Sequence, residues 1–270
     1  MIKNAPETDA DALILDLEDA VPDTEKEPAR SLLRGYIEED HFAEIPTYCR
    51  LNGDTTEYFL QDVRSVASSQ IDGFVYPMVT SEDDVRFFAK YLQLVEKETG
   101  VSKFDIIPLI ETPSSILNVQ SICTVSERVV AVAFGAEDYF AELESTKERL
   151  HETLHVPRAL IAMAARSTGV VPIDTVYIDI DDLDGFRSSL ERAHALGFEG
   201  ALVLHPKQIP VANTTFMPST QDIERAEQIV RIADDELDDS VATVDDEFIG
   251  PPIIKAAQKT LKRAGRINNE

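Results

Sequence analysis

The sequence predicts an α/β fold: a (β/α)8-type barrel lacking its first strand, followed by a C-terminal helical arm. Three observations predict it. Seven short apolar runs alternate with amphipathic stretches of helical spacing. The runs are nearly continuous in apolar residues, as in parallel strands covered on both faces. Five of them run into charged or imidazole side chains, at the strand ends where a barrel carries its chemistry.

The strands are read over residues 12–17 (ALILDL), 46–51 (PTYCRL), 73–77 (GFVYP), 105–110 (DIIPLI), 129–134 (VVAVAF), 175–180 (TVYIDI) and 200–204 (GALVL). They are short, rich in β-branched residues and bounded by charges, Gly or Pro. Helical spacing is clear over 81–99, with Val85, Phe88, Leu92 and Val95, and over Leu183–Leu196, with Phe186, Leu190 and Ala193. A closed barrel needs an eighth strand. Only residues 1–11 precede the first run, and they read as a short helix and turn. The missing strand is expected either upstream of this reading frame or from a partner. An open doubly wound sheet is the competing architecture, but none of the eleven glycines forms GxGxxG or a P-loop. Residues 1–220 are assigned to the barrel and 221–270 to the arm. The arm reads as an acidic helix over 222–233, a charged linker over 234–240 and a helix over 251–266. The only charges of that last helix are Lys255, Lys259, Lys262, Arg263 and Arg266. They either compensate the helix dipole or reach a neighbour or an anionic ligand.

Composition narrows the function. The chain has 270 residues, of which 43% are hydrophobic, enough for a sizeable core, so a disordered chain is excluded. Its formal net charge of -25 repels nucleic acid and anionic membranes, and neither is expected as a partner. Only ten of the 25 basic residues are lysine. An acid-rich, lysine-poor surface suits a salty, halophilic cytoplasm, where charge repulsion is screened. Cys49 and Cys123 stand far apart and form neither a disulfide framework nor a zinc knuckle. No apolar run approaches membrane-spanning length and no leader opens the chain, so a cytoplasmic location is expected.

The strand ends carry the candidate chemistry: Glu18 and Asp19, Arg50 and Asn52, Glu111, Glu137 and Asp138, and His205. Packing gains nothing from gathering carboxylates at one mouth. A hard divalent cation does, because Mg²⁺ takes one or two carboxylates plus substrate oxygens and water. Glu111 and Asp138 are the best pair, with Glu18 and Asp19 beside the metal's outer waters. Arg50 can fork onto a substrate carboxylate or stabilise an enolate oxygen. Such a set, with no nucleophile–base dyad, fits Lewis-acid work on a keto or hydroxy acid.

LILDLEDAV (13–21), CRLNG (49–53), GFVYPMV (73–79), PLIET (108–112), AFGAEDY (133–139) and LHPKQIPVAN (204–213) occur in order over most of the chain. In these motifs the chain resembles the citrate lyase β-subunit-like proteins of the HpcH/HpaI aldolase superfamily. The resemblance implies Claisen-type cleavage of a 3-hydroxyacyl-CoA into an acyl-CoA and a 2-oxo acid, with Mg²⁺ as cofactor and a trimeric or hexameric homo-oligomer. It makes Arg50 the substrate-binding arginine, Glu111 and Asp138 the metal ligands, with Glu111 also at the substrate, and Glu18 and Asp19 the acidic pair beside the metal water. Lys26, Arg30, His205 and Gln208 fall on its coenzyme A side. Three departures stand out: the opening strand is absent, Met78 replaces a common lysine, and Gly250 replaces an arm aspartate that acts as acid/base. Asp245, Asp246 or Glu247 would have to substitute for that aspartate. A hydroxyacyl-CoA thioesterase and a coenzyme A-binding subunit without activity of its own are the alternatives to the lyase.

Other signals are discounted. His151 and His155 match HExxH, but Pro157 argues for a helix break. The acidic run Asp179, Asp181, Asp182 and Asp184 lacks EF-hand spacing. Cys49 reads as a small core filler.

Overall fold

The computed structural model describes residues 2–42, 44–101, 103–144, 150–235, 242–244 and 247–266. Two compact units divide it, Met1–Ala212 and Asn213–Glu270.

In the first unit seven strands form one all-parallel sheet in sequence order: β1 Leu13–Asp16, β2 Thr47–Arg50, β3 Gly73–Tyr76, β4 Asp105–Ile110, β5 Ala131–Phe134, β6 Val171–Asp174 and β7 Gly200–Ala201. Among the described residues β1 and β7 do not pair, so each is an edge. Between the strands run α1 Lys26–Glu38, α2 Phe59–Val66, α3 Glu82–Thr99, α4 Pro113–Thr124, α5 Ala136–Glu142, α6 Leu150–Thr168 and α7 Leu183–Leu196, and α8 Ile209–Phe216 follows β7 and runs into the second unit. Each β-to-β crossover therefore contains a helix, as parallel pairing requires.

Local chemistry explains the elements. α3 starts at a capping box of Ser81 and Asp84 and ends at Gly100, whose φ of 77° is the left-handed cap that glycine adopts freely. Its buried face is Val85, Phe88, Leu92 and Val95, the spacing read from the sequence. α4 starts at a Thr112–Ser115 box with Pro113 in its first turn. Phe59, Phe74, Tyr76, Phe88 and Phe104 pack as an aromatic cluster under β3, with ring centroids 4.7–5.9 Å apart in successive pairs. At Gly73 an added Cβ would lie 2.2 Å from the Asp105 carbonyl oxygen, so only glycine lets β3 approach β4 there.

The structure corrects the sequence reading in two places. The sixth strand is Val171–Asp174, not 175–180. Gly169 and Pro172 look like loop punctuation, yet Pro172 takes part in the ladder through its carbonyl, which accepts from Glu199 N at 3.0 Å. The 175–180 run lies beyond the strand, with Ile178 exposed. Likewise, α6 continues through Pro157 instead of breaking. Burial of Leu154, Arg158, Ile161, Ala162 and Ala165 against the sheet and α4 outweighs the lost backbone hydrogen bond.

The second unit holds α9 Thr220–Asp235, a two-stranded antiparallel pair β8 Ala242–Val244 and β9 Glu247–Ile249, and α10 Pro251–Arg263. Ala226, Ile229, Ile249, Ala257 and Leu261 form its core. The sequence reading missed the hairpin, because its strands are three residues each. Asp245, Asp246 and 236–240 of the linker lie outside the described residues, as does the Glu247 side chain.

Under β6 the Arg158 guanidinium grips Asp174 in a fork, Nε to Oδ1 at 2.9 Å and Nη2 to Oδ2 at 2.7 Å, with both side chains buried. Removing one partner strands the other charge. Asp174→Ala is expected to cost about 3–5 kcal/mol in urea unfolding, and the apolar pair Arg158→Met/Asp174→Leu much less. Equal losses in both variants would show that packing, not the charge, sets the cost.

Candidate active site

Because all seven strands run the same way, their C-terminal ends share one edge of the sheet. The adjacent ends of β1 and β2 place Asp16 directly opposite Arg50 in the register. Arg50 forks onto Asp16, Nε to Oδ1 at 2.8 Å and Nη2 to Oδ2 at 2.6 Å. Its Nη1 reaches Glu18 Oε2 at 3.0 Å and Asp19 Oδ2 at 3.1 Å. One guanidinium thus faces three carboxylates. This corrects the expectation that the fork is open for substrate: the fork edge is closed by Asp16, and the Nη1 edge is the one that faces the mouth. Asp16 was missed because it lies inside the first apolar run. Its signal was a charged residue inside an apolar strand, two positions before Glu18.

Asp16 also accepts from Glu18 N at 2.9 Å and Ala20 N at 3.2 Å, which fixes the turn that carries Glu18 and Asp19. Burial pushes its carboxyl up, but the Arg50 hydrogen bonds and charge outweigh this and hold it below the ordinary range. Arg50 shows the same balance. Burial alone would lower its pKa, and the carboxylates around it raise it further, so it stays charged.

Glu111 follows β4 and is 2% exposed. Two backbone features seat it. Met78, after β3, has φ of 54°, and its amide donates to Glu111 Oε1 at 2.5 Å. Gly135, after β5, leaves room for the carboxyl: an added Cβ would lie 2.5 Å from Oε2 and 2.6 Å from the Glu111 Cβ. Asp138 lies in the first turn of α5, whose start is tied to the β6 end by Ala136 N donating to Thr175 Oγ1 at 3.2 Å.

The acids are close enough to perturb one another. Burial, then the charges of Asp19, Glu111 and Asp16, push Glu18 up to about 8 against the pull of Arg50. Burial and the Asp138 charge push Glu111 up to about 7, against the Met78 amide and Arg50. Asp138 is raised by burial and by Asp19. Glu18, Asp19, Glu111 and Asp138 therefore share one mouth, with Arg50 the cation whose charge they feel. Such crowding is relieved by a cation. Among the described residues no three His, Cys, Asp or Glu side chains form a metal cage by themselves. A site of two carboxylates completed by water and substrate oxygens suits Mg²⁺.

The other expected residues divide differently. Lys26 is buried, and its Nζ donates to Leu17 O and Glu18 O at 2.9 Å each, closing the end of β1. Arg30 is buried between Glu27 and Asp62. Asp62 also accepts from Asn52 N and Nδ2, which ties the loop after β2 to α2. Tyr58 lies 5.9 Å from both cations. Gln208 is fully buried: its Oε1 accepts from Leu204 N and His205 N, and its Nε2 donates to Tyr177 O. In this structure Lys26, Arg30 and Gln208 hold the strand-end loops. His205 caps the 3₁₀ turn Pro206–Gln208 and is half-buried, with its Nδ1 accepting from Lys207 N at 3.2 Å. Burial raises the Cys49 thiol well above its usual value, in keeping with a core filler. His155 is exposed, and the His151 side chain lies outside the described residues.

Comparison with known proteins agrees with the fold. The model of the family HpcH/HpaI aldolase/citrate lyase matches residues 1–206. A (3S)-malyl-CoA thioesterase of Cereibacter sphaeroides is 34% identical over 96% of this chain and 88% of its own. A citrate lyase subunit beta of Haemophilus influenzae is 31% identical over 98% and 92%. The crystal structure of the protein CitE from Mycobacterium tuberculosis, in complex with magnesium, acetoacetate and coenzyme A, superposes with a TM-score of 0.75 at 27% identity. It covers 95% of this chain and 90% of that one.

The raised carboxyls have a measurable consequence. A carboxyl whose folded pKa exceeds its unfolded value binds its proton more tightly in the fold. Its stabilisation is full below the ordinary carboxylate pKa and is lost as pH rises through the folded values, about 7 for Glu111 and about 8 for Glu18. In the absence of divalent cations Tm is expected to fall between pH of roughly 5 and 8.5, and less steeply in Glu18→Gln. A variant whose Tm fell as steeply as the wild type would remove Glu18 from the crowded set.

Proposed function

We propose that this chain, which belongs to the HpcH/HpaI aldolase/citrate lyase family, is a magnesium-dependent lyase that cleaves or forms the carbon–carbon bond of a 3-hydroxyacyl-CoA. The observation that carries this reading is the shared mouth of Glu18, Asp19, Glu111 and Asp138 around Arg50. Glu111 and Asp138 are the pair that would hold the metal, which supplies a Lewis acid against charge developing on the substrate oxygens.

The chain's own residues do the remaining work. Asp16 keeps the Arg50 guanidinium from turning away, and an acid's carboxylate would meet Arg50 at Nη1, which it would share with Glu18 and Asp19. A planar fork held at one edge presents its other edge in a fixed direction, which an ammonium cannot do. Glu18, with a pKa near 8, retains a proton near neutral pH and can hold or pass one at Oε2. Asp19 is its exposed neighbour on the same turn and meets the same guanidinium edge. On the coenzyme A side His205 is the partly accessible residue. Lys26, Arg30 and Gln208 act there by fixing the loops a thioester would meet.

In the forward reaction the 3-hydroxyl loses its proton and the bond from the carbinol carbon breaks. The electron pair passes to the acyl-CoA carbon, which takes up a proton. Gly250, at the start of α10, offers no group for that exchange. This residue favours a second reading, hydrolysis of the thioester, and so does the 34% identity to a protein named (3S)-malyl-CoA thioesterase. The acid excess of the chain supports work in concentrated salt.

Incubation with malyl-CoA and Mg²⁺ separates the two readings. Glyoxylate with acetyl-CoA is expected from the lyase, and malate with free coenzyme A from the hydrolase. Binding without turnover would make the chain a subunit and overturn both. In the active enzyme Arg50→Lys is expected to lower kcat/KM by about 100-fold or more. A near-wild-type value there would take Arg50 out of the substrate site.

A further inference from the structure

Away from the mouth, α6 and α7 line a cavity of about 190 Å³ with His155, Arg158, Arg192, Ala195 and Leu196. Helical spacing brings these side chains together. His155 and Arg158 are three residues apart on α6, and Arg192, Ala195 and Leu196 are three and four apart on α7. His155 is the second histidine of the HExxH match, so part of that motif serves this cavity. No carboxylate is among the lining residues, in a chain with twice as many acidic as basic side chains.

Arg158 carries the argument. A guanidinium offers one N–H at Nε and two at each Nη nitrogen. Nε donates to Asp174 Oδ1, and Nη2 donates to Asp174 Oδ2 and to Ser189 Oγ at 2.9 Å. Among the described residues Nη1 has no acceptor, although the side chain is only 2% exposed. No fully buried side-chain nitrogen or oxygen of the described residues lacks a partner. Nη1 is therefore where this nearly enclosed guanidinium meets the cavity. Donors held out of bulk water without an acceptor are costly, and an anion would supply one. Asp174 fixes the guanidinium plane from the other side, so Nη1 is presented without reorganisation. Ala195 and Leu196 add an apolar side to the same space. The volume is below the roughly 300 Å³ at which drug-sized pockets begin, which suits a ligand of a few carbon atoms.

We propose that this cavity is a second ligand site, separate from the strand-end mouth, that takes a small carboxylate with a short apolar tail. The carboxylate accepts from Arg158 Nη1, with Arg192 and His155 beside it, and the tail lies against Ala195 and Leu196. This goes beyond the lyase reading and does not depend on it.

The test is calorimetric titration of the full chain with butyrate, acetate, butanol and inorganic phosphate, at constant sodium and without divalent cations. Butyrate is expected to bind at one site, about tenfold more tightly than acetate, which lacks two methylenes, and more tightly than butanol or phosphate. Arg192→Gln should weaken butyrate by about tenfold. The apolar pair Arg158→Met/Asp174→Leu, folded by its Tm, should abolish binding. Arg50→Lys, at the mouth, should leave it unchanged. Loss of butyrate binding in Arg50→Lys would place the ligand at the mouth and overturn the proposal. So would no butyrate binding, phosphate binding more tightly than butyrate, or an affinity unmoved in Arg192→Gln. Turnover of a thioester is not read in any arm, so failure of the lyase reading leaves this result standing.

Discussion

The Asp16–Arg50 pair connects the first two strands at the point where the chemistry begins. Parallel pairing puts the two residues opposite each other, so the ion pair needs no long side-chain reach. Two charged hydrogen bonds in a fork fix the guanidinium plane. The same carboxylate receives two amides of the following turn, so Glu18 and Asp19 are oriented by the group that orients Arg50. Were Asp16 neutral, arginine and turn would loosen together. Arg50 in turn keeps Asp16 ionised despite its burial.

Around that pair the molecule holds like charges together. Carboxylates repel, and burial raises the cost of ionising each. The fold supports Glu111 with backbone: an amide delivered by a left-handed Met78 and a space kept by Gly135. Neither device depends on a flexible side chain. The cluster has an unmet demand for positive charge, which a divalent cation would meet. The raised pKa values of Glu18 and Glu111 express that demand.

The buried polar residues near the mouth show why residue type alone misleads. Lys26 and Arg30 look like anion-binding cations in a chain so short of lysine. Their donors instead go to the carbonyls that end β1 and to the carboxylates of Glu27 and Asp62. Buried carbonyls at strand ends must be paired, and Asn52 joins Lys26 on the Leu17 carbonyl. Gln208 does the same for the loop after β7. These contacts hold the loops at the strand ends.

The sequence by itself determined the alternation of strands and helices, the buried face of α3, and the strand-end carboxylates Glu111 and Asp138. These are local matters: periodicity, caps and the residue after an apolar run. It left three matters to tertiary structure. The sixth strand lay four residues earlier than its most apolar run, because burial of Asp174 against Arg158 depends on a helix distant in sequence. The role of Asp16 depended on which residue faced it across the sheet. The strained backbone of Met78 became visible only beside Glu111, 33 residues along the chain. Pattern reports which face a residue occupies; pairing across the sheet decides what it meets there.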